Sequence, residues 1–332
     1  MVKYKSSMIN DYEIEKSIID KKRKKTREYL NKTSTHIVEP RKPSWLKVSL
    51  KTDENSSKIK KELRANNLWT VCEEASCPNL SECWSNKTAT IMILGGTCTR
   101  ACKFCNVVTG NPKGKIDKAE ITNARKMAEV MKLRYLVITS VDRDDLADFG
   151  AGHFAATISE INTNRPDLLV EVLIPDFNCI PEHMHTLARS NPFVIAQNIE
   201  TVQRLTSSVR DRRAGYEQSL KCLDFYKSNY PHITTKSSLM LGLGETYDEI
   251  IQCMKDLRSV GVQILTLGQY LRPTKGHLNV EKYYSPQEFD DLKQMALQLG
   301  FEFVASGPLV RSSYKAIDYL KHLEEKGLWP RT

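Results

Sequence analysis

The stretch Thr90-Ile91-Met92-Ile93-Leu94-Gly95-Gly96-Thr97-Cys98-Thr99-Arg100-Ala101-Cys102-Lys103-Phe104-Cys105 decides how the chain is read. It opens on a short apolar run rich in β-branched residues, the mark of a buried strand. Two glycines then let the backbone turn tightly. Three cysteines follow at the spacing C-x3-C-x2-C. Three thiolates on one short loop can hold three irons of a cubane [4Fe–4S] cluster, which soft sulfur ligands suit. The fourth iron stays open, as a catalytic metal centre requires and a structural one avoids. Zinc is the competing occupant, but structural zinc favours four ligands in paired C-x2-C units.

Downstream, the strand-then-helix rhythm repeats. Strand-like runs cover 90–94, 135–139, 168–174, 193–198, 236–241 and 264–270. Helix-like stretches lie near 118–133, 151–164, 180–190, 216–229 and 247–260. Thr246 with Glu249, and Ser285 with Glu288, are capping-box signatures, the second with Pro286 at the first helical position. Repeated strand–helix units imply parallel strands with right-handed crossovers. The expected fold is α/β: a partial (β/α)6 TIM-like barrel with N- and C-terminal extensions, in preference to a doubly wound sheet. In a barrel the cysteine loop falls at the C-terminal face of the strands, where active sites gather. A last strand-like run at 301–305 and a helix near 315–326 follow. The expected organisation is a partly mobile, basic polar arm over 1–45, a cysteine-bearing segment over 46–87, the barrel over 88–300 and a C-terminal extension over 301–332.

Of the 332 residues, 40% are hydrophobic and 27% charged, which suits a folded cytosolic protein. No window of about 18 uninterrupted apolar residues exists, so no membrane span is expected. Asp11, Glu13, Glu15 and Asp20 interrupt the N-terminal lysines, and no apolar signal core is present. The expected compartment is the cytoplasm. The net charge of +9 favours acidic partners without choosing among nucleic acid, membrane and protein. The run Lys21-Lys22-Arg23-Lys24-Lys25 reads first as a solvated face or arm, and only second as a nucleic-acid contact. Pro40, Pro43, Trp45 and Leu46 suggest an extended segment docked on a larger body. A short helix is expected over 56–66.

Six of the nine cysteines lie between Cys72 and Cys105. In a chain of this size without a secretory signal, such a cluster reads as metal binding. The second group is Cys72, Cys77 and Cys83, spaced C-x4-C-x5-C. Three thiolates again leave a cluster one ligand short; three structural or redox cysteines are the alternative. Pro78 and Trp84 can shield such a site. Cys179, Cys222 and Cys253 read as small core residues. His183 and His185 read as surface histidines before a ligand pair.

The C-x3-C-x2-C loop resembles that of the radical S-adenosylmethionine (SAM) superfamily. There the open iron binds the amino and carboxylate groups of SAM, and an electron from the cluster cleaves SAM to a 5′-deoxyadenosyl radical. With the second cysteine group, the chain resembles the lipoyl synthase family over all but about its first 40 residues. The matching stretches run in order through 72–84, 95–107, 139–154 (TSVDRDDLADFGAGHF), 198–220, 235–246, 265–274 and 305–314 (ASGPLVRSSY).

The resemblance implies a transferase that inserts two sulfur atoms at C6 and C8 of an octanoyl chain on a lysine of a carrier protein. It implies two [4Fe–4S] clusters and two SAM per product, the second cluster being sacrificed as the sulfur source. Unactivated C–H bonds offer no acid–base handle, so radical hydrogen abstraction is the sensible route. Cys98, Cys102 and Cys105 would hold the SAM-cleaving cluster, and Cys72, Cys77 and Cys83 the donor cluster. The family completes the donor cluster with a serine of an Arg-Ser-Ser-Tyr stretch, here Arg311-Ser312-Ser313-Tyr314. Ser313 is the expected ligand and Ser312 its competitor; alone, they would read as a turn or cap. An alkoxide is a poorer partner for iron than thiolate, which fits a site meant to come apart. Thr139 and Ser140, at a strand end with Asp142, are candidate SAM contacts or an ordinary turn. Glu171 and Asn198 are candidates to face SAM or substrate. The stretch Gly242-Leu243-Gly244-Glu245 is a candidate approach to adenine, though no dinucleotide fingerprint. Arg210, Arg212 and Arg213 form a basic patch, on the surface or facing carrier or substrate.

The implied partners are an octanoylated lipoyl carrier domain of 2-oxoacid dehydrogenase complexes or a glycine-cleavage H protein, an electron donor and an iron–sulfur assembly carrier. Neither membrane nor nucleic acid is expected. Two other readings stand beside this one. One is another radical SAM sulfur inserter, acting on RNA or a small molecule. The other is a non-catalytic metal-binding protein that binds nucleic acid with steep salt dependence and cleaves no SAM.

Overall fold

The computed structural model describes residues 41–47, 90–130, 133–313 and 316–327, with residues 16, 17, 19–21, 24, 61, 69, 70 and 79. The six expected strands are β1 (Thr90–Ile93), β2 (Tyr135–Ser140), β3 (Leu169–Leu173), β4 (Val194–Ala196), β5 (Thr234–Leu241) and β6 (Ile264–Gln269). The run expected at 301–305 joins the same sheet as β7 (Phe303–Gly307). The seven strands pair in parallel and in sequence order. The two-residue strand Trp69–Thr70 lies antiparallel on β1, and this edge does not pair with β7, so the barrel is partial.

The connecting helices are α1 (Ala119–Val130), α2 (Ala151–Asn164), α3 (Pro181–Ala188), α4 (Tyr216–Asn229), α5 (Tyr247–Ser259) and α6 (Pro286–Gln298), with α7 (Ala316–Glu325) at the end. Both capping boxes form: Thr246 and Ser285 each accept from the backbone of the glutamate three residues on, which reaches back to the cap. Each such cap is worth about 1 kcal/mol.

The outer faces of the strands are covered by the helices and are apolar, while the inner faces also carry polar residues such as Glu171 and Lys236. Outward-facing Leu136, Ile138, Val172 and Ile195 pack with Met127, Phe154, Ile158 and Leu187 of the helices. Leu239, Leu265, Leu267 and Val304 do the same with Ile250, Leu257, Phe289 and Leu292. Each buried side chain of this kind contributes about 1.5–3 kcal/mol, so these two belts are the main support of the fold.

The opposite faces turn into the barrel. Near the strand starts, Tyr135 and Val137 cluster with Leu320, and Val194 and Ile264 with Tyr319. Helix α7 therefore stops the lower end. At this level Lys236 Nζ donates to Glu171 Oε1 at 2.6 Å, and the Tyr135 hydroxyl to Glu171 Oε2 at 2.6 Å. The upper end is left for the site.

After β7 the chain forms a strap. A Cβ on Gly268 of β6 would sit 2.1 Å from the Val310 carbonyl oxygen, so only glycine lets the strap lie this close. At its far end Thr90 Oγ1 donates to Ser313 Oγ at 2.8 Å. Residues 308–313 thus run from the last parallel strand to the first, across the unpaired side.

In the arm, Ile19 is buried in the main core cluster, so that point is anchored. The segment expected to be extended forms the 3-10 turn Ser44–Leu46, in which Leu46 is buried and Trp45 exposed, so docking is seen at Leu46 alone. Of the basic run only Lys21 and Lys24 are described, and of the helix expected over 56–66 only Lys61. Cys72, Cys77, Cys83, Pro78, Trp84 and Tyr314 lie outside the described residues. No helix among the described residues is long and apolar enough to cross a membrane.

Candidate active site

The site begins where β1 ends. Leu94 and Gly95 both take left-handed backbone, with φ of 67° and 84°. For leucine that conformation is strained and must be held from outside. Glu120 of α1 accepts from the N–H groups of both residues, at 2.8 and 3.1 Å, and Arg143 donates to the Leu94 carbonyl. His153 of α2 braces Glu120 at 3.0 Å. The turn so fixed throws the cysteine loop over the C-terminal face of the strands.

Arg100, between the first two cysteines, ties that loop down. Arg100 is buried, and its guanidinium donates to both oxygens of Asp176, at 2.6 and 2.8 Å, and to Asp144 at 3.0 Å. Asp142 lies 3.4 Å away. One cation therefore joins the loops after β1, β2 and β3. The fork geometry of Arg suits this bidentate role. The far side is held by Asp211, whose carboxylate accepts from Ala101 N–H and whose own N–H donates to Cys102 Sγ at 3.3 Å. Arg100 N–H donates to Cys98 Sγ at 3.4 Å, and His277 Nε2 to the Cys105 carbonyl at 3.0 Å. Such N–H···S bonds tune an iron–sulfur centre when it is present.

Cys98, Cys102 and Cys105 all line one cavity of about 500 Å³ at the top of the barrel. Burial pushes the thiols of Cys102 and Cys105 up, to about 11 and about 12. Cys98 goes higher still, by burial first and the Asp142 carboxylate second. Bare thiolates are disfavoured here, so the loop requires positive charge to bind in its ionised form. A metal cluster supplies that charge. Among the described residues no three His, Cys, Asp or Glu side chains converge as on a single metal ion. A cubane differs from such a site in giving each thiolate its own iron.

The opposite wall fits a ligand with polar groups. Ser140 Oγ, Gln197 Oε1 and Asn198 Oδ1 are buried without a hydrogen-bond partner among the described residues, and all three residues line the cavity. Buried polar atoms are normally satisfied, so these await a partner. Met92, Leu173, Met240 and Tyr270 supply apolar lining. The donor set, cavity and unmet polar atoms thus fit a cluster with SAM beside it.

Several expected residues are brought together here: Thr139, Ser140 and Asn198 join the three cysteines, and so do Ser312 and Ser313 of the strap. Glu171 does not. It lies below, 1% exposed, with both oxygens taken by Lys236 and Tyr135. Its strand position fits the expectation, but its register places it beneath the cavity. The Gly242 turn packs on Gln269 and the Lys282 carbonyl, a close approach that serves folding. The basic patch divides: Arg212 is exposed, Arg213 braces the cysteine loop through the Thr99 carbonyl, and Arg210 is buried and faces the cavity. His185 bonds the Tyr230 hydroxyl, and His183 packs on Phe149. Cys222 and Cys253 are buried core residues as expected, and Cys179 is partly buried against the core that holds Cys222.

Sequence reasoning missed Arg100, Asp176, Glu200, Asp211, His277 and Asn79. Glu200 lines the cavity in left-handed backbone at φ 67°, and burial raises its carboxyl. Asn79 sits between Cys77 and Cys83; its side-chain amide donates to the Leu309 carbonyl at 2.5 Å. That contact places Asn79 itself beside the strap.

Residues 92–257 match the radical SAM superfamily, and residues 7–77 match the N-terminal domain of lipoyl synthase of that family. The likeness therefore reaches further into the basic arm than the sequence motifs suggest. A lipoyl synthase of Francisella philomiragia is 54% identical over 283 residues, 85% of this chain and 86% of that protein. One of Marinobacter nauticus is 53% identical over 276 residues, 83% of this chain and 79% of that one. Among solved structures, Streptococcus suis SuiB bound to its precursor peptide SuiA aligns over 90% of this chain and 63% of its own. The TM-score is 0.53 and the identity 12%, a likeness of fold alone.

Proposed function

The chain belongs to the lipoyl synthase family of the radical SAM superfamily, and from that premise we propose that it inserts two sulfur atoms at C6 and C8 of a protein-bound octanoyl-lysine. Cys98, Cys102 and Cys105 hold the SAM-cleaving [4Fe–4S] cluster. Cys72, Cys77, Cys83 and Ser313 hold a second cluster that is consumed as sulfur donor, with two SAM used per product. The observation that carries this reading is the bond from Asn79 to the Leu309 carbonyl. It holds Asn79, which stands between Cys77 and Cys83 in the sequence, on the strap whose serines line the same cavity as the first group, and this supports the reading.

When bound, the cluster and SAM supply the electron and the carbon radical that remove an unactivated hydrogen. The protein supplies position and shielding. Arg100, Asp211 and His277 hold the cysteine loop at the cavity wall. Ser140, Gln197 and Asn198 offer hydrogen bonds to the polar parts of SAM. Arg210 is a buried cation at the same cavity, and its Nη1 is shared among Ser219 Oγ and the carbonyls of Ile199 and Gly215. The apolar lining receives the acyl chain and excludes water, while α7 blocks the lower end. The octanoyl group comes on a lipoyl carrier domain of a 2-oxoacid dehydrogenase complex or on an H protein. An electron donor and an iron–sulfur assembly carrier are the further partners this reading calls for.

Cysteine variants test the division of labour. Replacing one of Cys98, Cys102 or Cys105 should abolish 5′-deoxyadenosine formation while the second cluster's iron remains. Replacing one of Cys72, Cys77 or Cys83 should spare SAM cleavage and abolish sulfur insertion. Insertion retained in the latter would overturn the donor assignment.

A further inference from the structure

The turn after β3 and helix α4 bring together two cysteines, Cys179 and Cys222, with no part in the site above. Phe177, Asn178 and Cys179 all take left-handed backbone, with φ of 44°, 52° and 52°. Three consecutive non-glycine residues in that region make a strained turn. Asp176, which precedes it, braces the turn by accepting from Asn178 N–H at 3.0 Å. The same carboxylate holds Arg100 of the cysteine loop.

The turn lies against α4. Cys179 Sγ donates to the Gln218 carbonyl at 3.2 Å. Cys222, one helical turn further along α4, is fully buried, and its Sγ lies 4.0 Å from the Asp176 carbonyl. The two sulfurs therefore share one pocket between Asp176 and Gln218. Cys179 is partly buried, whereas Cys222 is fully buried, so Cys179 is the more accessible residue of the two. The Cys222 thiol hydrogen-bonds Cys179 and holds it below the usual thiol range, whereas the same bond and burial push Cys222 up. An accessible sulfur of lowered pKa beside a resolving thiol is the arrangement of a redox-sensitive pair.

We propose that Cys179 and Cys222 form a reversible disulfide that loosens the cysteine loop 98–105 through Asp176. The oxidant is a small-molecule disulfide. The Cys179 thiolate attacks one sulfur of it and releases one thiolate, giving a mixed disulfide. The Cys222 thiol then loses its proton and attacks the Cys179 sulfur, releasing the second thiol. The two cysteines are oxidised by two electrons and the reagent is reduced to two thiols.

The bond draws the sulfurs to about 2 Å. Cys222 sits mid-helix, fixed by the backbone ladder of α4, so the strained turn moves instead. Asp176 moves with it, and Arg100 loses its bidentate partner. The effect on SAM cleavage rests on reading loop 98–105 as a cluster site; the disulfide itself does not.

The test uses anaerobic holoenzyme treated with oxidised glutathione, then alkylated and digested for mass spectrometry. A linked peptide pair containing Cys179 and Cys222, absent after dithiothreitol, is expected. The fully buried Cys253 should stay free. In parallel, 5′-deoxyadenosine formation should fall in proportion to the bridged fraction and recover with dithiothreitol, at constant iron content. Cys179→Ser and Cys222→Ala should keep basal cleavage and become insensitive. Absence of the linked peptide overturns the disulfide. A bridge that leaves cleavage unchanged overturns the coupling to the loop. Equal inhibition of Cys179→Ser assigns the loss to other thiols and also overturns it.

Discussion

Replacing Gly268 with alanine separates the two halves of the proposed chemistry. Gly268 lies on the inner face of β6, where the strap crosses. A Cβ there would meet the Val310 carbonyl oxygen at 2.1 Å and its carbon at 3.0 Å, whereas ordinary contact begins near 3.4 Å. Both atoms are backbone, so no side chain can swing aside, and the strap must yield by more than an ångström. Strap and site are coupled through Leu309, Ser312 and Ser313. Overpacking of this kind costs about 1–3 kcal/mol, which a domain of this size survives. A misplacement of about 1 Å in a positioned group can cost about 100-fold in rate. Sulfur insertion into an octanoyl-lysine carrier should fall by about that factor. Formation of 5′-deoxyadenosine should persist, because the 98–105 loop is held by Arg100, Asp211 and His277. The assay measures both products by mass spectrometry from one anaerobic reaction, with iron analysis for the second cluster. Insertion at the unmodified rate would refute the placing of the strap at the sulfur-donor site.

Other perturbations probe the scaffold. Arg100→Lys keeps the charge but cannot bridge Asp144 and Asp176 together, so 5′-deoxyadenosine formation and loop-cluster iron should drop; unchanged iron would contradict the anchoring role. Lys236→Met leaves the Glu171 carboxylate, 2% exposed, without its cation. It should cost about 3–5 kcal/mol in urea unfolding followed by circular dichroism, and a change below about 1 kcal/mol would show that the pair is not a structural tie. The Glu249 carboxyl is lowered from its ordinary 4.5 to about 2, first by Arg204 and then by the Thr246 backbone N–H. A depressed carboxylate adds stability that is present above its ordinary pKa and lost as pH falls through 4.5 toward 2. Glu249→Gln should flatten the unfolding midpoint across that acid window, and an unaltered slope would contradict the cap's contribution.

The parts legible in the sequence are those set by local pattern. The apolar runs of β1 to β6 and the two capping boxes each sit within a few residues, and each was found where expected; the closely spaced Cys98, Cys102 and Cys105 meet at one cavity. Ser140 and Asn198 were legible as strand-end polar residues, since strand ends of a barrel face its site. What escaped depends on pairs distant in sequence. Arg100 reads as one more cation until the fold brings Asp144 and Asp176 to it; its signal was an arginine inside a cysteine loop with aspartates at 142, 144 and 145 downstream. Glu171 was misplaced by register: it points inward, but from the level of Lys236, below the cavity. Arg210 and Arg213 read as one patch, on the surface or facing carrier or substrate, and the loop they share turns one into the cavity and the other onto the Thr99 carbonyl. Asn79 had no signal beyond its place between two cysteines.

The central claim is sulfur insertion into a carrier-bound acyl chain. Its most direct test is mass spectrometry of an octanoyl-lysine carrier domain after anaerobic incubation with reconstituted enzyme, SAM and a reductant. The account predicts a product carrying two added sulfurs, formed together with 5′-deoxyadenosine. Formation of 5′-deoxyadenosine with the octanoyl chain unchanged would contradict it.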